Sequence, residues 1–280
     1  MVKITPVISG FFKLDGGAMF GVVPKRMWSQ IYPADDQNLC TWAMRSLLVE
    51  YGHKKVLIDT GIGNKQDDKF RSHFLPFGAN AFESLSEIGF FPEDITDVIL
   101  THLHFDHVGG AFMINESGQL KPSFPNATYW CGEEQYDWAI EPNEREKASF
   151  LSENILPLVT TGVTKFIATE INDFHFDDAI SFRFVNGHTR AMMLPIIHRA
   201  GQADLIYCAD LLPSTAHLGL PYVMAYDIEP LKTIEEKKRL LEDAAHYGHH
   251  LFLEHDAYHS CISIVKNEKG KFIATDVPLD

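Results

Sequence analysis

The chain has 280 residues, of which 45% are hydrophobic and 22% charged, and its formal net charge is −14. That length buries one large core, or two halves sharing one, and the composition excludes global disorder. The acidic balance argues against nucleic acid or an anionic membrane surface as a partner, since both demand a cationic face.

No apolar run approaches membrane-spanning length, and residues 1–6 lack the apolar core of a secretory leader. The expectation is a cytoplasmic protein with no membrane partner. Cys40, Cys131, Cys208 and Cys261 lie far apart with no C-x-x-C spacing, as suits thiols in a reducing compartment. In chain order, residues 54–59 (K-K-V-L-I-D) read as a buried strand that turns at 60–63. Residues 81–88 read as a short helix stopped by Gly89 and Pro92. Residues 97–100 (D-V-I-L) form a short buried strand. Helices are predicted over 133–140 and 147–159. Strands follow over 180–185 and 204–209. The clearest helix is 233–247, with a capping box from Thr233 to Glu236 and Gly248 as its C-cap. Residues 251–253 are a last strand. Strands alternating with helices indicate an α/β architecture.

The segment after the 97–100 strand reads T-H-L-H-F-D-H-V-G-G. His102, His104, Asp106 and His107 fall within six positions, and imidazole with carboxylate is a ligand set for zinc and its first-row neighbours. In extended chain, His102, His104 and Asp106 would share a face, with His107 joining if the chain turns. Gly109 and Gly110 make such a turn sterically cheap. Further candidates also follow strands: His188 after 180–185, Asp210 after 204–209, and His255 after 251–253. Ligands at the ends of four strands gather at one rim of a sheet. Seven are enough for two adjacent cations. A lone His188, His255 or Asp210 would carry no such weight. His246, His249, His250 and His259 are read as surface or supporting residues, and 235–242 as a solvated helix face.

These motifs resemble those of the metallo-β-lactamase superfamily. Leu57-Ile58-Asp59-Thr60-Gly61, His102-x-His104-x-Asp106-His107, Gly187-His188-Thr189, Asp210 and His255 occur in the family's order over about residues 40–260. The resemblance implies an αββα sandwich of two facing mixed sheets with outer helices, here a single domain over 1–280 with a cap loop at about 14–35. It implies that His102, His104 and His188 hold one metal, and that Asp106, His107 and His255 hold a second. Asp210 would bridge them, and Asp59 would steady the ligand loop from behind. The cofactors implied are two divalent ions, zinc first, with Mn, Fe, Co or Ni also accepted by these donors. Asp210 in place of a Cys disfavours a true β-lactamase. His104 in place of a Glu disfavours the flavodiiron oxidoreductases, and the net charge disfavours the RNA-processing nucleases. The nearest resemblance is to the N-acyl-homoserine lactone lactonases and the related organophosphate hydrolases. Leu14-Asp15-Gly16-Gly17-Ala18-Met19-Phe20-Gly21 is similar to their opening strand and cap. A Tyr that some lactonases carry three residues past the bridging Asp is Pro213 here. Tyr222 or Tyr226 replaces it, or metal alone polarises the carbonyl.

The constellation suits hydrolysis. Two cations sharing a water lower its pKa to ~7, and the resulting hydroxide attacks a lactone or ester carbonyl. Asp106 can orient that hydroxide and carry a proton to the leaving oxygen. The same centre would cleave a phosphoester, and a mononuclear iron dioxygenase or a non-hydrolytic metal protein is the alternative from another class. Phe20, Trp28, Phe74, Phe77 and Leu218 are the candidate apolar wall for a small lactone or ester; ordinary core or a homodimer interface is the other reading of them.

Overall fold

The computed structural model describes residues 1–169 and 174–279. The chain divides into two compact units. The first is Met1–Phe11 with Met44–Ile171, the second Phe12–Ala43 with Asn172–Leu279.

Strands β1 (Lys3–Asp15) and β2 (Leu39–Tyr51) both run through that division. Between them lie two short helices, α1 (Gly16–Phe20) and α2 (Lys25–Trp28). Next come β3 (Lys54–Ile58), α3 (Asp68–Phe74), α4 (Ala81–Glu87), β4 (Asp97–Ile99) and α5 (Phe105–Val108). The hairpin β5 (Phe112–Ile114) and β6 (Leu120–Pro122) is followed by β7 (Thr128–Gly132), α6 (Glu133–Ile140), α7 (Ser152–Thr160) and β8 (Thr164–Ile167). The remainder is β9 (Phe174–His175), β10 (Ile180–Val185), β11 (Met192–Ile197), β12 (Leu205–Tyr207), α8 (Pro230–Tyr247), β13 (His250–Phe252), β14 (Cys261–Lys266) and β15 (Phe272–Asp276).

One sheet has the order β1-β2-β3-β4-β7-β8. Its β3, β4, β7 and β8 are parallel, so Asp59 and Thr101 follow neighbouring strands at the same end. The continuous apolar runs of β3 and β4 fit strands covered on both faces. In the first unit Leu48, Leu57, Val98, Leu100, Leu103 and Tyr129 belong to one buried cluster. The second sheet has the order β15-β14-β13-β12-β11-β10-β9, antiparallel except for β12 and β13. Asp210 and His255 follow that parallel pair. In the second unit Phe20, Trp28, Tyr32 and Trp42 are buried together, with Phe20 stacked on Trp28 at 5.0 Å and Tyr32 on Trp42 at 4.2 Å. Among the described residues no helix is long and apolar enough to cross a membrane.

Most expected elements form within a residue or two of their predicted limits. Three differ for physical reasons. Residues 147–151 stay outside the predicted helix, which begins at Ser152. Helix α8 begins at Pro230, whose fixed φ and missing N–H suit a first turn. Thr233 therefore lies inside the helix, and no capping box forms there. The Glu236 carboxylate instead accepts from the backbone N–H of Asn186 and of Gly187, both at 2.9 Å. Gly248 does end the helix, in the left-handed conformation at φ 73°. Finally, the metal-capable motif does not stay extended. The chain coils into α5, so Asp106 and His107 come from a helical turn rather than from a strand face.

Gly63 shows how tightly the 60–66 turn meets the motif. Its φ is +68°, and a Cβ there would lie 2.4 Å from the Gly109 carbonyl oxygen. Gly52 has a similar φ of +56° but open space around it. Gly63→Ala is expected to cost roughly 2–4 kcal/mol and Gly52→Ala only about 1 kcal/mol. Thermal unfolding of the two variants side by side measures the difference; equal losses would show that the Gly109 contact adds nothing.

Candidate metal centre

In the first unit the site is built on Asp59. This residue ends β3 with φ +57°, a left-handed conformation that Asp tolerates better than most side chains. Its side chain is fully buried. Oδ1 accepts from the Thr101 backbone N–H at 2.8 Å, and Oδ2 accepts from the Thr101 hydroxyl at 2.7 Å. His107 Nδ1 lies 3.1 Å from the same Oδ2. An ionised carboxylate only accepts, so His107 carries its proton on Nδ1. The Thr101 hydroxyl has spent its proton on Asp59, so its oxygen accepts from His102 Nδ1 at 3.1 Å. In both rings Nε2 is thereby left as a lone pair.

These rings converge. The His102 and His107 centroids are 3.8 Å apart, and those of His102 and His104 are 4.7 Å apart. Asp106 Oδ2 lies 3.8 Å from His107 Nε2. His104 is turned the other way: its Nε2 lies 3.4 Å from Glu146 Oε1, which presents Nδ1 as its other nitrogen. Glu146 is itself buried and accepts from Trp138 Nε1 at 2.8 Å and Asn143 Nδ2 at 2.7 Å. The Thr60 N–H and hydroxyl both donate to the His107 carbonyl at 2.8 Å, tying the α5 turn to the strand end behind it.

The second unit holds the other three expected ligands. The Asp210 carboxylate is split between two rings: Oδ2 lies 2.9 Å from His188 Nε2, and Oδ1 lies 2.9 Å from His255 Nε2. Each ring is held from its far side. His188 Nδ1 donates to Asp227 Oδ1 at 2.9 Å, and His255 Nδ1 donates to the Ala43 carbonyl at 2.7 Å. Burial alone would lower the proton affinity of His188, but Asp210 and Asp227 outweigh it and hold its pKa up at about 10. A divalent cation competes for the position of that proton. Ala209, just before Asp210, takes φ +43°, an unfavourable value for alanine that aims the next side chain. Gly187 lies so close to α8 that a Cβ would fall 2.3 Å from the Thr233 backbone nitrogen.

Buried donor atoms 2.9 Å apart around Asp210 and 3.8 Å apart between Asp106 and His107 fit a divalent cation. Bonds of ~2.0–2.2 Å at near-tetrahedral angles place neighbouring ligand atoms ~3–3.5 Å apart. The set is nitrogen and oxygen without sulfur, since all four cysteines are buried and free elsewhere. Asp227, Glu146 and Thr101 were not found from the sequence. Thr101 adjoins the motif, but nothing marks Asp227, 39 positions beyond His188.

The other expected site residues lie in separate places within their units. Phe20 and Trp28 are fully buried in the aromatic cluster of the second unit. Tyr222 meets Phe20 edge-on at 6.3 Å, and Tyr226 is exposed. Leu218 lines a groove with Ile262 and Phe272. In the first unit Phe74 packs on Phe105 of the motif at 4.5 Å. Phe77 stacks on Phe11 at 5.5 Å and borders a cavity of about 210 Å³ with Met44, Phe82 and Phe112.

Residues 45–252 match the family described as Metallo-beta-lactamase superfamily. A curated relative, N-acyl homoserine lactonase AttM of Rhizobium radiobacter, is 20% identical over 164 residues, which is 57% of this chain and 59% of that protein. The match thus spans less than two thirds of the relative's length. A probable metal-dependent hydrolase from Staphylococcus aureus superposes with a TM-score of 0.86 at 26% identity, covering 99% of this chain and 98% of that one. AidC, a dizinc quorum-quenching lactonase solved with the product N-hexanoyl-L-homoserine, superposes with a TM-score of 0.80 at 21% identity. That comparison covers 100% of this chain and 95% of AidC. These likenesses establish the metallo-beta-lactamase fold.

Asp59→Asn and Asp227→Asn test the supporting carboxylates. Each is expected to weaken divalent-cation affinity by about 10–100-fold while leaving the fold intact. Competition with a chromophoric chelator measures it; unchanged affinity in both variants would show that these contacts do not prepare the rings for a metal.

Proposed function

The chain belongs to the metallo-beta-lactamase superfamily, and within it we propose that the protein is a dinuclear metal-dependent hydrolase of lactones or carboxylic esters. The observation that carries the reading is the posture of Asp210, with one carboxylate oxygen toward His188 and the other toward His255. A carboxylate divided in this way suits a bridge between two cations. We read residues 1–280 as a single domain, with a cap at about 14–35. His102, His104 and His188 would hold one ion, and Asp106, His107 and His255 the other. The hydrogen bonds at Nδ1 of His102, His107, His188 and His255 support this, because each turns Nε2 toward the ligating role.

Zinc or a similar divalent ion held there supplies Lewis acidity toward a carbonyl and an activated water at neutral pH. The protein's own contribution is alignment and proton handling. Asp106, nearly buried beside His107, is placed to orient the water and to pass its proton to the leaving oxygen. Tyr222 and Tyr226 belong to the loop after Asp210 and are the candidates for contact with the substrate carbonyl. Phe74 against Phe105 gives the motif an apolar neighbour suited to an acyl chain or aromatic ester. A neutral substrate also suits a chain of net charge −14, which repels anionic phosphodiesters at long range.

The test is metal analysis of the purified protein, followed by assays on lactones of rising acyl length, an aryl ester, a phosphotriester and a phosphodiester. Two divalent ions per chain, activity lost with a chelator and restored by metal, and lactone or ester turnover above phosphodiester turnover are expected. Preferred phosphodiester cleavage, or one iron per chain with oxygen consumption, would replace the reading. Asp106→Asn is expected to lower kcat/KM by at least about 100-fold. Full activity of that variant on every ester would remove Asp106 from the mechanism. Each further methylene in the acyl tail should strengthen binding by up to ~0.8 kcal/mol until the pocket fills. Phe74→Ala should flatten that rise and leave the shortest esters little changed.

A further inference from the structure

Lys237 projects from α8 and is 1% exposed. An ammonium has three N–H donors, and here all three have acceptors within one short stretch of chain. Nζ lies 3.0 Å from the His217 carbonyl, 3.1 Å from that of Gly219 and 2.7 Å from that of Tyr222. Burial pushes the amine down to about 7, with Asp227 pulling in the opposite direction. A methionine would fill the same space without that desolvation, so the hydrogen bonds are what the charge provides.

The stretch held in this way grips a second one. The His217 ring is neutral, because burial pushes its pKa down to about 3. It donates from Nε2 to the Met19 carbonyl at 2.9 Å and accepts at Nδ1 from Ser214 at 2.7 Å. It also stacks on Phe20 at 4.7 Å with the rings 7° from parallel. The Ala225 N–H donates to the Ala18 carbonyl at 2.7 Å. Gly21 has φ +56°, and a Cβ there would lie 2.5 Å from the Val223 carbonyl oxygen. Loop 214–226 and segment 18–21 therefore interlock, with Lys237 beneath the loop. The loop connects Asp210 to Asp227, the carboxylate on His188, so its path is fixed at both ends by the candidate centre.

We propose that Lys237 is a positioning residue for substrate recognition, which holds loop 214–226, and through it segment 18–21, in one conformation. It acts through three backbone carbonyls and not on the reacting atoms. Substrate affinity is therefore where its loss appears, and turnover of bound substrate is little affected. The inference rests on the hydrolase reading for its substrate, a neutral lactone with an alkyl tail, but the latch itself is readable without one.

Two measurements on Lys237→Met decide it. Amide hydrogen exchange of the metal-loaded protein, with no substrate, should quicken at least tenfold in 214–226 and stay unchanged in β12 and β13. With γ-decalactone, KM should rise at least tenfold while kcat changes less than threefold, with metal content and circular dichroism as in the parent. Lys237→Gln keeps two donors and should give a smaller rise in KM; it also serves if the Met variant does not fold. Unchanged loop exchange in the folded variant overturns the latch. A fall in kcat at constant KM overturns the recognition role. An inactive parent protein whose loop exchanges slowly would instead mark failure of the hydrolase reading, with the latch intact.

Discussion

One buried carboxylate sets the order of the donors in the first unit. Asp59 accepts three hydrogen bonds, two from Thr101 and one from His107. Because a carboxylate only accepts, its charge decides which nitrogen of His107 bears hydrogen. It decides the same for His102 at one remove, by taking the proton of the Thr101 hydroxyl that His102 would otherwise meet. Two imidazoles are thus given one tautomer by one anion. The arrangement is local in space and distant in sequence, joining the end of β3 to the motif after β4. Parallel pairing of those strands places both ends side by side, which makes it cheap to build.

The second unit reaches the same tautomer by other means. Asp227 serves His188, while a backbone carbonyl serves His255. The difference has an electrostatic consequence. His188 lies between two carboxylates and keeps a high affinity for a proton or a cation. His255 has Asp210 on one side and a neutral backbone acceptor behind it. Substitutions at the two rings should therefore not be equivalent, even though both face Asp210. The backbone contributes as well, since Ala209 at φ +43° holds Asp210 between the rings at some conformational cost.

The positions of the candidate donors after strands were legible in the sequence, because His and Asp stand out beside short apolar runs. His102, His104, Asp106 and His107 do gather in one unit, and His188, Asp210 and His255 in the other. The α/β class and most element limits were also readable, since apolar runs bounded by Gly and Pro are strong local signals. The long strands β1 and β2 were not: β2 buries Arg45 and Ser46 among its apolar residues, which blurs a period-two pattern. Helix α8 was found but its start was misplaced: Thr233 and Glu236 have capping-box spacing, yet Glu236 is drawn off to the turn before His188. Asp227 and Glu146 were invisible for a similar reason. An acidic residue in a loop carries no mark of its partner until the chain folds. Aromatic residues such as Phe20 and Trp28 looked the same from sequence whether they faced a ligand or each other.

The contact between His255 and the Ala43 carbonyl joins residues 212 positions apart. On a ribosome, Asp59 and the His102–His107 motif emerge together, separated by fewer than fifty residues. Asp210 and His255 appear much later, and only then can the early-made Ala43 orient the last ring. On the proposed reading, a cation that reaches the nascent chain at the halfway stage would meet a partial donor set and exchange readily. If the proposed ligand set holds metal, durable loading would wait for the C-terminal strands, and synthesis itself would impose an order on it.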